Sequence, residues 1–237
     1  MVVFIVPDPV NQAEAHHVAP AATSPSVLTR LRLETRGEHD AVERVLNLMD
    51  TALTEAAYRQ RLAQFYGFYA PLEAALQTRC APQLATLLTR LNKTTLLRQD
   101  LQQLGVSTAD LPLCRHLPPI QTQAEVWGCL YVMEGATLGG RLITQHVQAT
   151  FGIMPTTGGS FFEGYGPDTG KMWQGMRQLL LSGAVDTPTE NAIVANAIAT
   201  FASLRGWCEQ AHTDTKHHAK HCANDDTNNN TEANQRV

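Results

Sequence analysis

A histidine lies on the apolar stripe of an amphipathic segment near the start of the chain. The stripe repeats at helical spacing and consists of Leu28, Leu31, Thr35, His39, Val42 and Leu46. An imidazole on a buried helix face is a good ligand for a transition metal, haem iron included. The competing interpretation is a histidine that only packs in the core. Taken alone, the stripe favours that second interpretation.

Three glycines stand where a helix normally avoids them. Gly135, Gly139 and Gly140 fall at positions i, i+4 and i+5 of the segment LYVMEGATLGGRLITQH, so one continuous helix would carry them on about one face. Each glycine inside a helix costs roughly 1 kcal/mol relative to alanine. The cluster therefore predicts that something lies directly against this backbone. That neighbour is either a large flat ligand or a close-packed helix.

Long helical patterns dominate the middle of the chain, and alternating β-branched strands are nearly absent. We predict an all-α fold in a single domain over residues 26–211. The predicted helices lie near 26–47, 51–78, 80–91, 94–104, 121–150, 168–182 and 188–211. Breaks between them are predicted at segments that contain glycine or proline.

The two ends of the chain differ from this middle. Residues 1–25 hold four prolines among small and polar residues, and we predict a flexible leader there. Residues 212–237 are rich in histidine and asparagine and contain almost no apolar residue, so a disordered tail is predicted. The tail histidines, together with Cys222, are interpreted as solvated rather than as a metal site.

Composition excludes several classes of function. The net charge of −4 leaves no basic surplus for nucleic acid, and the apolar runs are far shorter than the roughly 18 residues of a membrane span. The five cysteines form no CxxC pair, and their odd number argues against a disulfide framework. We expect no nucleic-acid or membrane partner, and a cytoplasmic location.

Two motifs resemble the helices that enclose haem in haem oxygenases. The first, T-x-x-x-H-x-x-x-E at Thr35, His39 and Glu43, is similar to the proximal helix. The second, Y-V-M-E-G-A-T-L-G-G at 131–140, is similar to the distal helix of the bacterial, phytochrome-associated type. Supporting matches follow in order: Y-x-x-x-L-x-x-F-Y-G-F-Y-x-P-L-E at 58–73, D-L-x-x-L-G at 100–105, F-F-x-G-Y-G at 161–166 and F-x-x-L-R-x-W at 201–207. The resemblance covers about 25–210.

The resemblance implies a haem-oxygenase-like helical bundle with haem held between a proximal and a distal helix. It also implies a reaction, the oxidative opening of haem b to biliverdin with release of CO and ferrous iron. Haem is then both substrate and cofactor, and O2 is the second substrate. The implied partners are an electron donor, such as a ferredoxin or a flavin reductase, and a bacteriophytochrome that accepts biliverdin.

The resemblance further assigns roles to residues. His39 would be the axial ligand of the haem iron, and Glu43, one helical turn on, would receive the other ring N–H and orient the imidazole. Gly135, Gly139 and Gly140 would let the distal helix pass close to the haem. They would also expose backbone groups to bound dioxygen.

Cations and aromatic side chains complete the expected site. Arg32, two turns before His39, matches a basic residue that binds a haem propionate in the family. Lys171 and Arg177 are further candidates for the propionates. Tyr131 and Phe201 are expected to line the pocket.

One position departs from the animal members of the family. Ala136 stands where they carry an aspartate that anchors a proton-delivering water network. Bacterial members also tend to lack this acid, and Glu134 is predicted to point about 100° away from the glycine face. This departure leaves open a haem-binding sensor or carrier without turnover.

Two further alternatives follow from other side chains. A thiamin-degrading hydrolase on the same fold would need a reactive cysteine, Cys129 or Cys208. A rival axial ligand, His146, would share a face with Gly135, but the rise of about 16 Å along the helix places it too far from iron bound over that glycine. His116 lies in a proline-flanked loop without a partner pattern.

Overall fold

The computed structural model of the protein describes residues 25–233, without the side chains of Gln83 and of residues beyond Gln210. The predicted leader therefore lies almost entirely outside the described residues. Within 25–233 the chain forms helices and no strand, which confirms the all-α prediction. The helices are α1 Val27–Glu34, α2 Arg36–Leu46, α3 Glu55–Arg79, α4 Ala85–Leu91, α5 Lys93–Gln103, α6 Gln123–Gly135, α7 Gly140–Phe151, α8 Ser160–Glu163, α9 Thr169–Gly183 and α10 Thr187–Ala233.

The predicted first helix is two helices that meet at Thr35. The Thr35 hydroxyl donates to the carbonyl of Leu31 at 2.7 Å, and bonding of a threonine to the preceding turn bends a helix. The predicted stripe is otherwise preserved, since Leu31, Thr35, Val42 and Leu46 are all buried.

Helix α3 forms the centre of the molecule. It begins at the N-cap Thr54, whose hydroxyl accepts from the amide of Ala57, and continues through Pro71. Buried side chains occur all around it, including Leu62, Phe68 and Leu72. A helix section that is buried on every side must be enclosed by other helices, and α4, α5, α6 and α10 pack against α3.

The predicted helix over 121–150 is interrupted, which corrects the expectation of one continuous distal helix. Helix α6 begins with a capping box between Thr122 and Glu125 and ends at Gly135. Amides then bond to carbonyls three residues back, Thr137 to Glu134 at 3.1 Å and Leu138 to Gly135 at 3.0 Å. This tighter winding is typical of a 3₁₀ turn, and it redirects the chain before α7 begins.

Helix α10 supports both walls of the site described below. It packs along α6, where the Asn196 amide donates to the carbonyl of Glu125. It also packs against α2, where Arg205 forms an ion pair with Glu38 at 2.9 Å. These contacts fix the spacing of α2 and α6.

The backbone of α10 continues to Ala233, into the segment for which the sequence predicts disorder. Because no side chain beyond Gln210 is described, the disorder of 212–237 stays a prediction. Within the described residues, no helix is long and apolar enough to cross a membrane.

Candidate active-site cavity

A cavity of about 620 Å³ lies between α2 and α6. This volume falls within the range of about 300–1,000 Å³ that is usual for small-molecule and cofactor sites. Six of the ten predicted site residues line it: Arg32, His39, Glu43, Tyr131, Gly135 and Phe201. They belong to four helices, so the fold brings together residues that are far apart in the chain.

Four other candidates are not among the described residues that line the cavity. Gly139 and Gly140 are buried where α7 begins. Lys171 is exposed on α9, and Arg177 is half-buried on the same helix. Gly139 and Gly140 do not line the cavity because the break after α6 ends the single helix face that the three glycines would have shared.

The imidazole of His39 forms part of the α2 wall. Its side chain is 18% exposed, and its Nδ1 lies 3.4 Å from Oδ1 of Asp40. The ring meets Phe201 of α10 edge to face, with 5.5 Å between the ring centres. Ligand atoms of His39, Asp40 and Glu43 all lie within 4.8 Å of one another. Two carboxylates therefore stand beside the imidazole, whereas the sequence had suggested Glu43 alone.

Gly135 lies on the α6 wall, and its missing side chain leaves space. A Cβ built there would meet only the ring of Trp173, at 4.0 Å. Ala136 follows on the same wall and carries only a methyl group. A flat ligand can therefore approach the α6 backbone closely at this point.

Gly140 has a different neighbour. A Cβ there would lie 1.8 Å from the carbonyl oxygen of Phe162, a contact that no side chain can make. The close-packed helix considered from the sequence is thus α8, and it explains Gly140. The open side of Gly135 fits the ligand, so each interpretation of the glycine cluster applies to a different glycine.

Aromatic rings make the inner end of the cavity apolar. Phe65 and Tyr69 of α3 stack with 6.1 Å between their centres, and Phe161 of α8 lies 5.2 Å from Phe65. Phe162 meets Phe161 at 4.9 Å. All four line the cavity, and such surfaces are suited to a large apolar ligand.

Positive charge is concentrated at the outer edge. Arg32, Arg36 and Arg44 are exposed and line the cavity. Tyr131 lies near this edge, where burial raises its pKa to about 12 although Thr35 and Arg32 lower it. Guanidinium groups suit carboxylates that extend from a buried ligand toward solvent.

A buried polar cluster lies behind the α6 wall. The Glu134 carboxylate is fully buried and forms an ion pair with Arg90 of α4. It also accepts a hydrogen bond from the Tyr165 hydroxyl at 2.8 Å, while Arg90 donates to the carbonyl of Met172 at 3.0 Å. Glu134 is not among the described lining residues, in agreement with the expectation that it points away from the glycine face.

Lys93 lines the cavity although it is 2% exposed, and the sequence interpretation did not include it. The available signal was the stripe of α5, where Lys93 and Asp100 share one face with Leu97 and Leu101. A charged residue at an apolar position of an amphipathic helix indicates a buried charge with a specific role.

These features fit haem. The cavity offers an imidazole on the α2 wall, a wall without side chain at Gly135, aromatic surfaces at its inner end and arginines at its outer edge. His39 can bind the haem iron, and the carboxylates beside it can orient its ring.

Comparison with known proteins gives the same result. The family model described as "Heme oxygenase" matches residues 26–210. The heme oxygenase from Neisseria meningitidis, solved with NO and with CO bound, has a TM-score of 0.68 and 19% sequence identity, over 79% of this chain and 92% of that one. The heme oxygenase from Leptospira interrogans has a TM-score of 0.64 and 23% identity, over 78% of this chain and 100% of that one. No curated protein sequence matches. The chain belongs to the haem oxygenase family, whose members are enzymes that degrade haem.

Proposed function

We propose that this enzyme cleaves haem b oxidatively to biliverdin and releases CO and ferrous iron. The observation that carries the proposal is one cavity of about 620 Å³ onto which both His39 and Gly135 open, in a chain of this family. Haem supplies the iron that takes up O2 and the porphyrin ring that is cut. The remaining roles belong to side chains of the protein.

His39 would hold the iron from the α2 wall. Asp40 and Glu43 stand next to its ring and would accept its second N–H, which fixes the direction of the imidazole. Phe201 packs against the ring edge and limits its rotation. This arrangement explains why a histidine can occupy the apolar stripe of α2.

The propionates would point to the outer edge of the cavity. Arg32, Arg36 and Arg44 lie there and present guanidinium groups that can each bind a carboxylate with two hydrogen bonds. Lys171 and Arg177, which do not line the cavity in the described part of the chain, become second choices.

The α6 wall would exclude water and would admit only small ligands to the space between itself and the haem. Gly135 carries no side chain and Ala136 only a methyl group, which leaves room for a molecule of the size of O2 beside the α6 backbone. Gly140 would act indirectly, because its missing side chain allows α7 to start close to α8. Gly139 is buried next to it and does not line the cavity. The NO and CO complexes of the Neisseria relative support a site for diatomic ligands here.

Electrons would come from a ferredoxin or a flavin reductase, and a bacteriophytochrome would receive the biliverdin. Four described cysteines, Cys80, Cys114, Cys129 and Cys208, are free, which supports the cytoplasm as the compartment. Burial raises the pKa of the Cys129 and Cys208 thiols, which gives no support to a cysteine-dependent hydrolase.

The test is aerobic turnover of the purified protein loaded with hemin and supplied with a reductant. We expect the Soret band to decay, a biliverdin band to rise, and CO and ferrous iron to be trapped in amounts equal to the haem consumed. A haem complex that binds O2 and then stays unchanged would overturn the proposal and leave the sensor or carrier function.

A further inference from the structure

We propose that Lys93 is a ligand-selecting residue of the cavity, and that its ammonium favours small anionic ligands on the Gly135 side. This inference rests on the proposed haem site. It concerns the side of the cavity on which Ala136 supplies no charged or hydrogen-bonding group.

Hydrogen bonds at the start of α5 fix the position of Lys93. Its backbone amide donates to Oε1 of Glu73 at 2.6 Å, and the amide of Thr94 donates to Oε2 at 3.1 Å. Glu73 on α3 therefore caps α5 and is held by backbone groups. The Lys93 side chain is left to extend toward the cavity that it lines.

The ammonium lies among side chains of α8, α6 and α3. Its Nζ lies 5.2 Å from the centre of the Phe161 ring, which also lines the cavity. Glu134, the residue before Gly135, acts on it electrostatically from α6, and Glu73 does so from α3. A cation at an aromatic face is stabilised without losing its charge.

Both carboxylates are already engaged by other donors. Glu134 pairs with Arg90 and accepts from Tyr165, and Glu73 accepts two backbone amides. Neither carboxylate forms an ion pair with Lys93, so its positive charge also acts on the cavity that it lines. In an apolar cavity such a charge acts on a ligand more strongly than it would in water.

The pKa of Lys93 is also close to neutral pH. Burial lowers the pKa of Lys93 from 10.5 to about 8, against the opposing effects of Glu134 and Glu73. A group in this range holds a proton at pH 7 and can donate a hydrogen bond or the proton itself. Lys93 thereby supplies, from α5, a donor that α6 lacks at Ala136.

The experiment compares an anionic with a neutral ligand on the hemin complex at pH 7. Azide and imidazole are titrated into the wild type, Lys93→Met, Lys93→Arg and Arg98→Met. The arginine variant keeps the charge, and Arg98 is an exposed cation on the same helix. We expect Lys93→Met to weaken azide binding about tenfold, equal to about 1.4 kcal/mol, while imidazole affinity stays within about twofold.

We expect Lys93→Arg and Arg98→Met to bind azide like the wild type. Equal azide affinity in Lys93→Met and the wild type would overturn the inference, as would a parallel loss of azide and imidazole affinity, which indicates a damaged pocket. If the wild type itself gives no histidine-type Soret band, the proposed haem site fails, and the role of Lys93 fails with it. A normal Soret band with unchanged azide affinity contradicts the role of Lys93 alone.

Discussion

At the scale of single residues, the site depends on side chains that occupy apolar helix positions. His39 lies on the stripe of α2 with Val42 and Leu46, and Lys93 lies on the stripe of α5 with Leu97 and Leu101. The motif around His39 identified the first from the sequence. Lys93 belongs to no motif. The stripe of α5 indicates that its helix face is buried, and the packing of α5 against α3 and α8 encloses that face.

Burial of a charged lysine lowers stability, and this effect depends on pH. The folded-state pKa of Lys93, about 8, lies below its ordinary value of 10.5, so between these pH values the unfolded chain binds more protons. Stability therefore rises with pH across this window, and the cost of the buried charge is fully present below pH 8.

We expect apo Lys93→Met to be more stable than the wild type at pH 7, by roughly 1–3 kcal/mol, because it removes that cost. The difference should shrink as the pH rises from 8 to 10.5. Urea unfolding at several pH values measures it, with Arg98→Met as the control for loss of a surface charge. A Lys93→Met variant that is less stable than the wild type at pH 7 would contradict the burial argument.

At the scale of helices, the glycines of the distal segment have separate tasks. The sequence predicted their importance, but an unbroken helix was assumed. Only the tight turn after Gly135, with its bonds between residues three apart, shows that Gly135 borders the cavity and Gly140 borders α8. Such a break depends on tertiary packing, which no local pattern encodes.

This separation makes Gly135→Ala and Gly140→Ala a matched pair. We expect Gly135→Ala to leave the apo protein as stable or up to about 1 kcal/mol more stable, because its methyl group meets open space. Its hemin affinity should fall, since the methyl group enters the cavity. Gly140→Ala should lose about 1–3 kcal/mol of stability through the clash with the Phe162 carbonyl. Thermal unfolding and hemin titration of both variants test this, and the reverse pattern would contradict it.

The buried ion pair of Glu134 connects α6 to its neighbours. Arg90 of α4 neutralises the carboxylate and also reaches the carbonyl of Met172 on α9. We expect Arg90→Met to cost about 3 kcal/mol in urea unfolding, because it leaves a buried charge without its counter-ion. The double variant Arg90→Met with Glu134→Met should recover part of this loss. If the double variant lost as much stability as the two single variants together, the pair would not be coupled.

At the scale of the whole molecule, the fold class and the order of the helices were predictable from the sequence. Helices α3 and α5 were predicted within a few residues of their observed ends, because apolar periodicity and clear breaks mark them. The short helix α8 and the two bends were not predicted. Each of them follows from contacts between distant segments, such as Asp100 accepting from the amide of Phe161 at 2.8 Å.

The part of the chain that matches the family ends at residue 210, before the histidine-rich tail. We expect a protein shortened to residues 1–211 to bind one hemin with unchanged affinity and to unfold like the full chain, since no lining residue lies beyond Leu204 in the described part. Hemin titration and thermal unfolding of both forms measure this. A loss of hemin affinity in the shortened protein would assign a role to the tail.

The most direct measurement is a hemin titration of His39→Ala with and without added imidazole. The control is His146→Ala. His146 is the rival ligand considered from the sequence, and it does not line the cavity. We expect His39→Ala to lose the Soret band of histidine-ligated haem and to regain it with imidazole, while His146→Ala behaves like the wild type. A His39→Ala protein that keeps the wild-type spectrum would show that the iron is held elsewhere.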